Sequence, residues 1–268
     1  MAADPVELRP LLEEEGFAVV PGALQPDELE AVRAAFDRAL EATRASLGTT
    51  HIATLDPNPA SIRLVNLPAL DPIFLSLLLR EDALAAVRAL LGEHFAISNF
   101  TAHDALPGAA PMRLHSDQAL VVPPPWIHPW AINVIWCLDD IDEENGATRY
   151  VPGSHHWQTF AEVPPDAEER LVSFRAPAGS FVAMEGRLWH TSGHNRSRDR
   201  RRRLLFAYYT ADFIRPQVNW ALCLPREIQA ALDPRGRELF GLSPRGNTRI
   251  GSTLTRLAES AISRGAEP

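Results

Sequence analysis

The sequence predicts a mainly β protein in which helices flank a β-sandwich or barrel. From about residue 95, short runs rich in Val, Ile, Phe, Trp and Tyr are separated by Pro, Gly and Asn, a pattern typical of sandwiches and barrels. Before residue 95, apolar residues recur at helical spacing. The 268 residues are 46% hydrophobic and show neither an internal repeat nor a linker, so we expect a single domain. Its helical N-terminal portion should cover about 1–95, its β core about 96–215 and its C-terminal helical tail about 216–268.

The first third of the chain contains one early strand and at least two helices. The segment 16–24 (GFAVVPGAL) is a short apolar run with a Pro-Gly pair near its end, which predicts a strand that ends in a turn. A helix should follow, because Pro26 suits a first helical position and three acidic residues lie at the positive end of the helix dipole. Residues 82–91 repeat the helical spacing and stop at Gly92, a natural C-terminal cap.

The later part of the chain is divided into short predicted strands. Their sequences are AISNFTAH, MRLHSDQALVV, WAINVIWCL, ATRYVP, RLVSFRA, SFVAME and RLLFAYYT. Residues 123–129 (PPPWIHP) contain too much proline for a central strand. Asn145-Gly146 is a strong hairpin signal. The tail from about residue 226 looks helical first and then polar.

The composition excludes several classes of function. All 26 basic residues are arginine, which removes Schiff-base chemistry, a pyridoxal-phosphate anchor, a phosphate-loop lysine and a Ser-Lys dyad. The net charge of -8 makes general binding to nucleic acids or anionic membranes a poor fit, since both depend on basic surface. A small-molecule substrate is the expected partner, and the sequence does not predict the oligomeric state.

Cysteine usage and the termini predict an ordinary soluble protein. Cys137 and Cys223 are the only cysteines, so neither a disulfide framework nor a cysteine-rich zinc site is expected. The N-terminal sequence has no basic region followed by an apolar one, and no stretch has the roughly 18 apolar residues of a membrane span. We therefore expect a cytoplasmic protein.

Two histidines and one aspartate suggest a metal site. If RLHSDQ lies on a strand, His115 and Asp117 project from the same face. His190 follows 75 residues later, after a predicted strand and turn. Two histidines and one carboxylate form a facial triad, which leaves open positions as in non-haem Fe(II) oxygenases. A structural zinc site would need a fourth ligand, for which His155 and His194 are candidates.

An arginine-rich run, 196–210 (RSRDRRRRLLFAYYT), leads into the last predicted strand. Most of these arginines should form a solvated rim. An inward arginine would bind a carboxylate through two parallel hydrogen bonds. Arg201 and Arg203 share one face of a strand and Arg200 and Arg202 the other, so the alternation halves the choice without settling it.

Several segments together resemble the phytanoyl-CoA dioxygenase family of Fe(II)/2-oxoglutarate-dependent oxygenases. They are GFAVVPGALQPDEL, LHSDQ, NVIWCLDDIDEENGATRYVPGSHH and GRLWHTSGHNRS, followed by an arginine-led strand. The resemblance runs in order from about residue 10 to 215. It implies a double-stranded β-helix, the jelly-roll or cupin-like fold, as the core over about 96–215, with helices outside.

The resemblance also implies roles for individual residues. His115, Asp117 and His190 would be the iron ligands. The family's 2-oxoglutarate-binding arginine lies eleven residues beyond the distal histidine, which selects Arg201, although Arg203 on the same face leaves this assignment open by two positions. Other residues that the resemblance places around the cosubstrate are Ser192, Trp136, Thr101 and Asn99.

The implied activity is hydroxylation or desaturation of an unactivated C–H bond with Fe(II), 2-oxoglutarate and O2, releasing succinate and CO2. Halogenation is disfavoured because Asp117 fills the position where the related halogenases have a small residue. An alternative is a non-catalytic jelly-roll protein that binds a metal or small molecule. A serine hydrolase ranks last because the chain has no GxSxG motif.

The predicted substrate contacts lie in the proline-rich segment after the ligand pair. Loops on rigid scaffolds often hold binding residues, and residues 119–130 include Trp126, His128 and Trp130. If this loop is a lid, it would bury a bulky, apolar substrate. The sequence leaves open whether the substrate is a CoA thioester, since the arginines of 196–203 are candidates to bind its phosphates.

Overall fold

The structure is a computed structural model that describes residues 5–243. Four helices and two strands form the first part of the described chain: α1 (Pro5–Glu15), β1 (Phe17–Val20), α2 (Pro26–Leu47), β2 (Ser61–Leu64), α3 (Pro72–Leu78) and α4 (Glu81–Leu91). The β core follows, with β3 (Phe95–Ala105), β4 (Ala131–Cys137), β5 (Arg149–Tyr150), β6 (Val172–Ser173), β7 (Phe181–Glu185), β8 (His190–Thr191) and β9 (Arg202–Ala211). The last described helices are α5 (Trp220–Cys223), α6 (Arg226–Ala231) and α7 (Pro234–Leu239).

The strands form two antiparallel sheets. The large sheet has six strands in the order β1-β7-β4-β9-β3-β2, and the small sheet has three in the order β6-β5-β8. A cavity between the sheets is lined by side chains from β3, β4, β9 and β8. This arrangement confirms the prediction of a mainly β protein with flanking helices.

The large sheet is buried on both faces. Successive side chains of each strand point to opposite faces, so one strand contributes to two different apolar clusters. On β4 and β9, Trp136 and Leu205 belong to the core shared with the helices, whereas Ile135 and Leu204 belong to a second cluster. Neither strand therefore has the apolar and polar alternation of a sheet with one solvated face.

The predicted helices begin and end for identifiable reasons. At the start of α2, the Glu28 carboxylate accepts the Gln25 backbone N–H at 3.0 Å, and Pro26 occupies the first turn. Gly92 ends α4 with a φ of 73°, a conformation that favours glycine. The early strand and both helices are thus confirmed. The polar end of the predicted tail, residues 244–268, lies outside the described residues.

One predicted strand is wrong. Within MRLHSDQALVV, only His115 forms a β-bridge, with His190, and a 3₁₀ turn begins at Asp117. The turn is held by the buried Gln118 side chain, which is hydrogen-bonded to the end of the loop 119–130. Its amide N–H donates to the His128 carbonyl at 2.8 Å, and its amide oxygen accepts the Trp130 N–H at 2.7 Å. Across residues 5–243, no helix is long and apolar enough to cross a bilayer.

Candidate metal centre

Three of the predicted site residues meet at one point between the sheets. His115, Asp117 and His190 each offer a ligand atom, and these atoms lie within 4.8 Å of one another. Asp117 Oδ1 is 3.7 Å from His115 Nε2 and 3.9 Å from His190 Nε2. Among the described residues, this cluster includes neither His155 nor His194, so no fourth protein ligand closes it.

The backbone brings the two histidines together. His115 and His190 are antiparallel bridge partners, and each backbone N–H donates to the other's carbonyl, at 3.0 and 2.8 Å. Asp117 joins them from the first position of the 3₁₀ turn. The three residues predicted as metal ligands therefore lie together, although the strand predicted through Asp117 is a 3₁₀ turn.

Both imidazoles are oriented by backbone carbonyls. His115 Nδ1 lies 2.9 Å from the Arg113 carbonyl, and His190 Nδ1 lies 2.9 Å from the Leu188 carbonyl. An Nδ1–H donated to a carbonyl leaves the Nε2 lone pair free for a metal. Burial, followed by the charge of neighbouring His115, lowers the pKa of His190 to about 4, so this ring is neutral at pH 7.

Two residues that the sequence argument missed hold Asp117. Its Oδ2 accepts a hydrogen bond from the Asn133 amide, and its backbone carbonyl accepts one from the Tyr208 hydroxyl at 3.1 Å. A lone asparagine within the apolar run AINVIWC was a usable signal for Asn133. No sequence feature distinguished Tyr208 from its neighbours.

The inner chamber, a cavity of about 290 Å³, adjoins the three residues. Asn99, Thr101 and Ser192 line it, where the resemblance placed them. Ser192 Oγ accepts the Met112 backbone N–H at 3.0 Å, so its own hydroxyl hydrogen can still be donated. The chamber wall is therefore polar on the sides formed by β3 and by the residues after β8.

Arg202 brings a positive charge into this chamber. Its side chain is 0% exposed, and none of its three guanidinium nitrogens has a hydrogen-bond partner among the described residues. Burial, followed by repulsion from Arg63, lowers the pKa of Arg202 to about 10, so it is still protonated at pH 7. A buried cation without a partner is unfavourable, and an anion in the chamber would complete it.

The prediction that Arg201, or else Arg203, faces the interior is wrong. Arg201 pairs with Asp104 and packs over the Phe36 ring of α2, and Arg203 pairs with Asp139 at 2.7 Å. On β9, the faces alternate so that Arg202, Leu204, Phe206 and Tyr208 point away from the helices. The interior arginine lies twelve residues after His190 rather than eleven.

Trp136 is also misplaced by the resemblance. Its ring packs in the core on the helix side of β4, 5.2 Å between centroids from Phe181. Asn133, on the opposite face of the same strand, lines the chamber instead.

A larger outer cavity of about 1070 Å³ opens onto the metal centre, since His115 and Asp117 line both spaces. Its apolar walls include Leu55, Met112, Leu120 and Phe160. The charged residues on its lining are Asp56, Arg113, Asp117 and Glu168.

The three predicted substrate residues line neither cavity. Trp126 is 1% exposed; its indole N–H donates to the Val121 carbonyl at 2.7 Å, and its ring contacts Phe160 at 4.9 Å. His128 is exposed. Trp130 packs against Phe213. The Gln118 side chain is hydrogen-bonded to the far end of the loop 119–130. The first turn of this loop lines the outer cavity through Leu120, whereas Trp126 and Trp130 do not line it.

The comparison with known families gives a direct match. A model of the phytanoyl-CoA dioxygenase (PhyH) family matches residues 12–203. The chain belongs to this family. Membership confirms the predicted enzyme class, a 2-oxoglutarate-dependent dioxygenase, and the predicted use of Fe(II), 2-oxoglutarate and O2.

Named relatives agree with this assignment. The chain is 45% identical to dioxygenase af480 of Aspergillus fumigatus, over 92% of this chain and 80% of that one. It is 26% identical to the multifunctional dioxygenase prhA of Penicillium brasilianum, over 88% of this chain and 82% of that one. Both relatives are named as enzymes, which does not favour a non-catalytic binding protein.

Solved structures share the fold. HygX from Streptomyces hygroscopicus, with nickel and 2-oxoglutarate bound, has a TM-score of 0.64 at 20% identity, over 78% of this chain and 88% of that one. The α-ketoglutarate-dependent carbocyclase SnoK from nogalamycin biosynthesis has a TM-score of 0.67 at 21% identity, over 87% and 94%. These likenesses confirm the predicted jelly-roll fold.

Proposed function

We propose that this dioxygenase hydroxylates or desaturates an unactivated C–H bond of a small, apolar molecule and releases succinate and CO2. The observation that carries the proposal is the placement of a facial triad and a buried, unpartnered arginine on the same chamber. The first feature suits a metal with open positions, and the second suits the carboxylate of a cosubstrate.

His115, Asp117 and His190 would hold Fe(II) on one side. Two imidazoles and a carboxylate suit this ion, and a set of three protein ligands would leave positions for a chelating 2-oxo acid and O2. When bound, the iron would activate O2, and this activation would be coupled to the oxidative decarboxylation of 2-oxoglutarate. The protein's own part is to present both Nε2 atoms and Asp117 Oδ1 towards one point.

Arg202 would bind the distal carboxylate of 2-oxoglutarate. Its guanidinium can donate two parallel hydrogen bonds to a carboxylate, and none of its nitrogens is hydrogen-bonded within residues 5–243. Thr101 and Ser192 add hydroxyl groups to the same chamber. This assignment replaces Arg201, whose charge already pairs with Asp104.

The outer cavity favours an apolar substrate that is not a CoA thioester. Its volume of about 1070 Å³ exceeds the roughly 300–1,000 Å³ of typical ligand pockets. CoA phosphates would need several cations, but the cavity lining offers one arginine, Arg113, and three carboxylates. Arg200, Arg201 and Arg203 from the arginine-rich segment are each paired with an acidic residue.

The test is turnover in metabolite extracts. Protein would be incubated with Fe(II), 2-oxoglutarate, ascorbate and extract, and untargeted mass spectrometry would search for the gain of one oxygen or the loss of two hydrogens. We expect succinate to form with the product, and neither to form with His190→Ala. An iron-loaded wild-type protein that makes no succinate with any extract or candidate substrate would favour the binding-protein alternative.

A further inference from the structure

We infer that Asn133 and Tyr208 form a clamp that holds Asp117 as a metal ligand through one oxygen only. The inference rests on the metal assignment proposed above. These two positioning residues would act through Asp117 and would not bind the metal themselves. The clamp gives a role to two interior polar groups that the cosubstrate and substrate assignments leave unexplained.

Asp117 needs such support because the hydrogen bonds on either side of it, from Ser116 Oγ and from the Gln118 N–H to the Gly186 carbonyl at 2.9 and 2.7 Å, hold the chain but do not orient the Asp117 carboxylate. The two histidines are joined to each other by a pair of backbone hydrogen bonds, whereas Asp117 begins a four-residue 3₁₀ turn outside both sheets. Short 3₁₀ turns have poorer hydrogen-bond geometry than strands or α-helices. The carboxylate therefore depends on side chains from elsewhere for its orientation.

Asn133 is hydrogen-bonded to one oxygen of the Asp117 carboxylate, and the other oxygen faces the two imidazoles. Its Nδ2 donates to Asp117 Oδ2, while Asp117 Oδ1 is the oxygen that lies near both imidazoles. The reversed amide would place a carbonyl oxygen against a carboxylate, which is repulsive. Asn133 is buried, and its other amide atom, Oδ1, has no partner among the described residues. Packing alone does not explain a buried amide at this position.

Tyr208 holds the backbone of the same residue. Its hydroxyl donates to the Asp117 carbonyl at 3.1 Å, and Tyr208 is the direct cross-strand partner of Asn133 in the β4–β9 register. Asp117 is thus attached at two points to adjacent positions of the large sheet. The sheet is the rigid element of the fold, so the clamp transfers its rigidity to the ligand.

The clamp affects how many coordination positions stay open. With Oδ2 held in a hydrogen bond by Asn133, Asp117 presents Oδ1 to the metal. Without Asn133, the carboxylate can rotate and chelate through both oxygens, which takes a position that a 2-oxo acid or O2 requires. Loss of groups that orient metal ligands typically weakens metal binding by about 10- to 100-fold.

The probe is Co(II), whose ligand-field absorption reports coordination without any turnover. We expect Asn133→Ala to weaken Co(II) binding by about 10- to 100-fold and to change the spectrum, and Tyr208→Phe to weaken binding by about tenfold. The matched control is Tyr209→Phe on the same strand. It also removes a hydroxyl that donates to a backbone carbonyl, that of Leu78 at 2.8 Å, but it should leave affinity and spectrum unchanged.

The outcomes separate this inference from the proposed function. Wild-type affinity and spectrum in a folded Tyr208→Phe and a folded Asn133→Ala would overturn the clamp while the metal site stands. If Asn133→Ala does not fold, Tyr208→Phe decides, because it removes a single oxygen. A loss of affinity as large in Tyr209→Phe would also overturn the clamp. A wild-type protein that does not bind Co(II) would overturn the metal assignment itself.

Discussion

Arg202 carries a buried positive charge for which the described residues provide no hydrogen-bond partner, and the carboxylates of Asp104 and Asp139 stabilise it only through space. Its neighbours along the chain, Arg201 and Arg203, are each paired with an aspartate, and its own nitrogens have no partner among the described residues. A buried cation without hydrogen bonds destabilises the ligand-free protein and favours the binding of an anion. Affinity for the cosubstrate is therefore linked to the stability of the protein.

Arg202→Met should separate these two effects. Without the buried charge, the ligand-free variant should unfold at an equal or higher temperature than the wild type. Its 2-oxoglutarate affinity should fall by about 30-fold to several hundredfold, since a buried charge pair contributes about 2–4 kcal/mol. Isothermal titration with 2-oxoglutarate in the presence of Mn(II), together with thermal melts, measures both quantities.

Arg201→Met is the control for this change. It leaves Asp104, whose side chain is 0% exposed, without its partner, so the protein should lose stability while 2-oxoglutarate affinity stays within about twofold. If Arg201→Met lost the affinity and Arg202→Met kept it, the cosubstrate assignment would be wrong.

The sequence allowed the cluster of two histidines and an aspartate to be predicted, but not which arginine faces the chamber. His115, Asp117 and His190 stand out because two histidines and a carboxylate recur in a motif. The choice between Arg201 and Arg202 depends on which face of β9 meets the cavity, and both faces of this strand are buried and largely apolar. In a strand that is buried on both faces, the sequence shows no alternation of polar and apolar side chains that would indicate which face meets the cavity. The fold class was predictable from strand spacing and helical periodicity because those patterns are local.

The loop 119–130 lines the outer cavity directly through Leu120 and supports its wall indirectly through Trp126. Trp126 is buried behind Phe160, and Phe160 lines the cavity. A proline-rich loop with two tryptophans suggested direct contact with a substrate. In the structure, the Gln118 side chain is hydrogen-bonded to backbone groups of His128 and Trp130 at the other end of this loop. Hydrogen bonds from a side chain to backbone groups leave no pattern in the sequence.

Trp126→Ala should uncouple the reaction. Removal of a fully buried tryptophan costs about 3–5 kcal/mol and removes the support behind Phe160. We expect more succinate per molecule of substrate oxidised, because water reaches the metal centre when the cavity wall loosens. Trp130→Ala, which removes a ring packed against Phe213, should change this ratio less. An unchanged ratio in Trp126→Ala would mean that the loop does not shape the cavity.

A buried ion pair attaches the same loop to the turn before His190. Glu185 pairs with Arg187, which also donates to the Trp126 and Ile127 carbonyls at 3.3 and 3.1 Å. Burial raises the pKa of Glu185 although Arg187 opposes the shift. For a carboxyl whose folded pKa is raised, stability falls as pH rises from the ordinary value of 4.5 through the raised value.

Arg187→Met should therefore make stability depend more strongly on pH. Removal of the cation raises the pKa of Glu185 further, so the melting temperature should fall relative to the wild type as pH rises from acid towards neutrality. Thermal melts across this range measure the effect. The double variant Glu185→Gln/Arg187→Met has no carboxyl to titrate, and it should lose the added pH dependence. A pH-independent difference in the single variant would contradict the role of Glu185.

At the scale of the whole molecule, we propose that the helices and the β core form one domain. A single hydrophobic cluster includes Phe36 from α2, Val87 from α4, Trp136 from β4, Leu205 from β9 and Phe240 beyond α7. Neither part can bury its apolar face without the other. Separate unfolding of the helical portion would expose this shared core.

Calorimetry tests the single-domain proposal. We expect one unfolding transition whose calorimetric and van't Hoff enthalpies agree. Saturating metal and 2-oxoglutarate should shift the whole transition upwards, by about 2.7 kcal/mol of stability at 100 times the dissociation constant. Two transitions, of which only one responds to the ligands, would show that the helical portion is a separate domain.

We propose that His115, Asp117 and His190 hold an iron that shares one chamber with 2-oxoglutarate bound to Arg202. The most direct measurement is anaerobic titration of the Fe(II)-loaded protein with 2-oxoglutarate, monitored by the visible charge-transfer absorption of the chelated 2-oxo acid. The wild type should develop the band in proportion to bound iron, His190→Ala should not develop it, and Arg202→Met should require far more 2-oxoglutarate. Absence of the band in the wild type, or an undiminished band in His190→Ala, would show that these residues do not hold the iron as proposed.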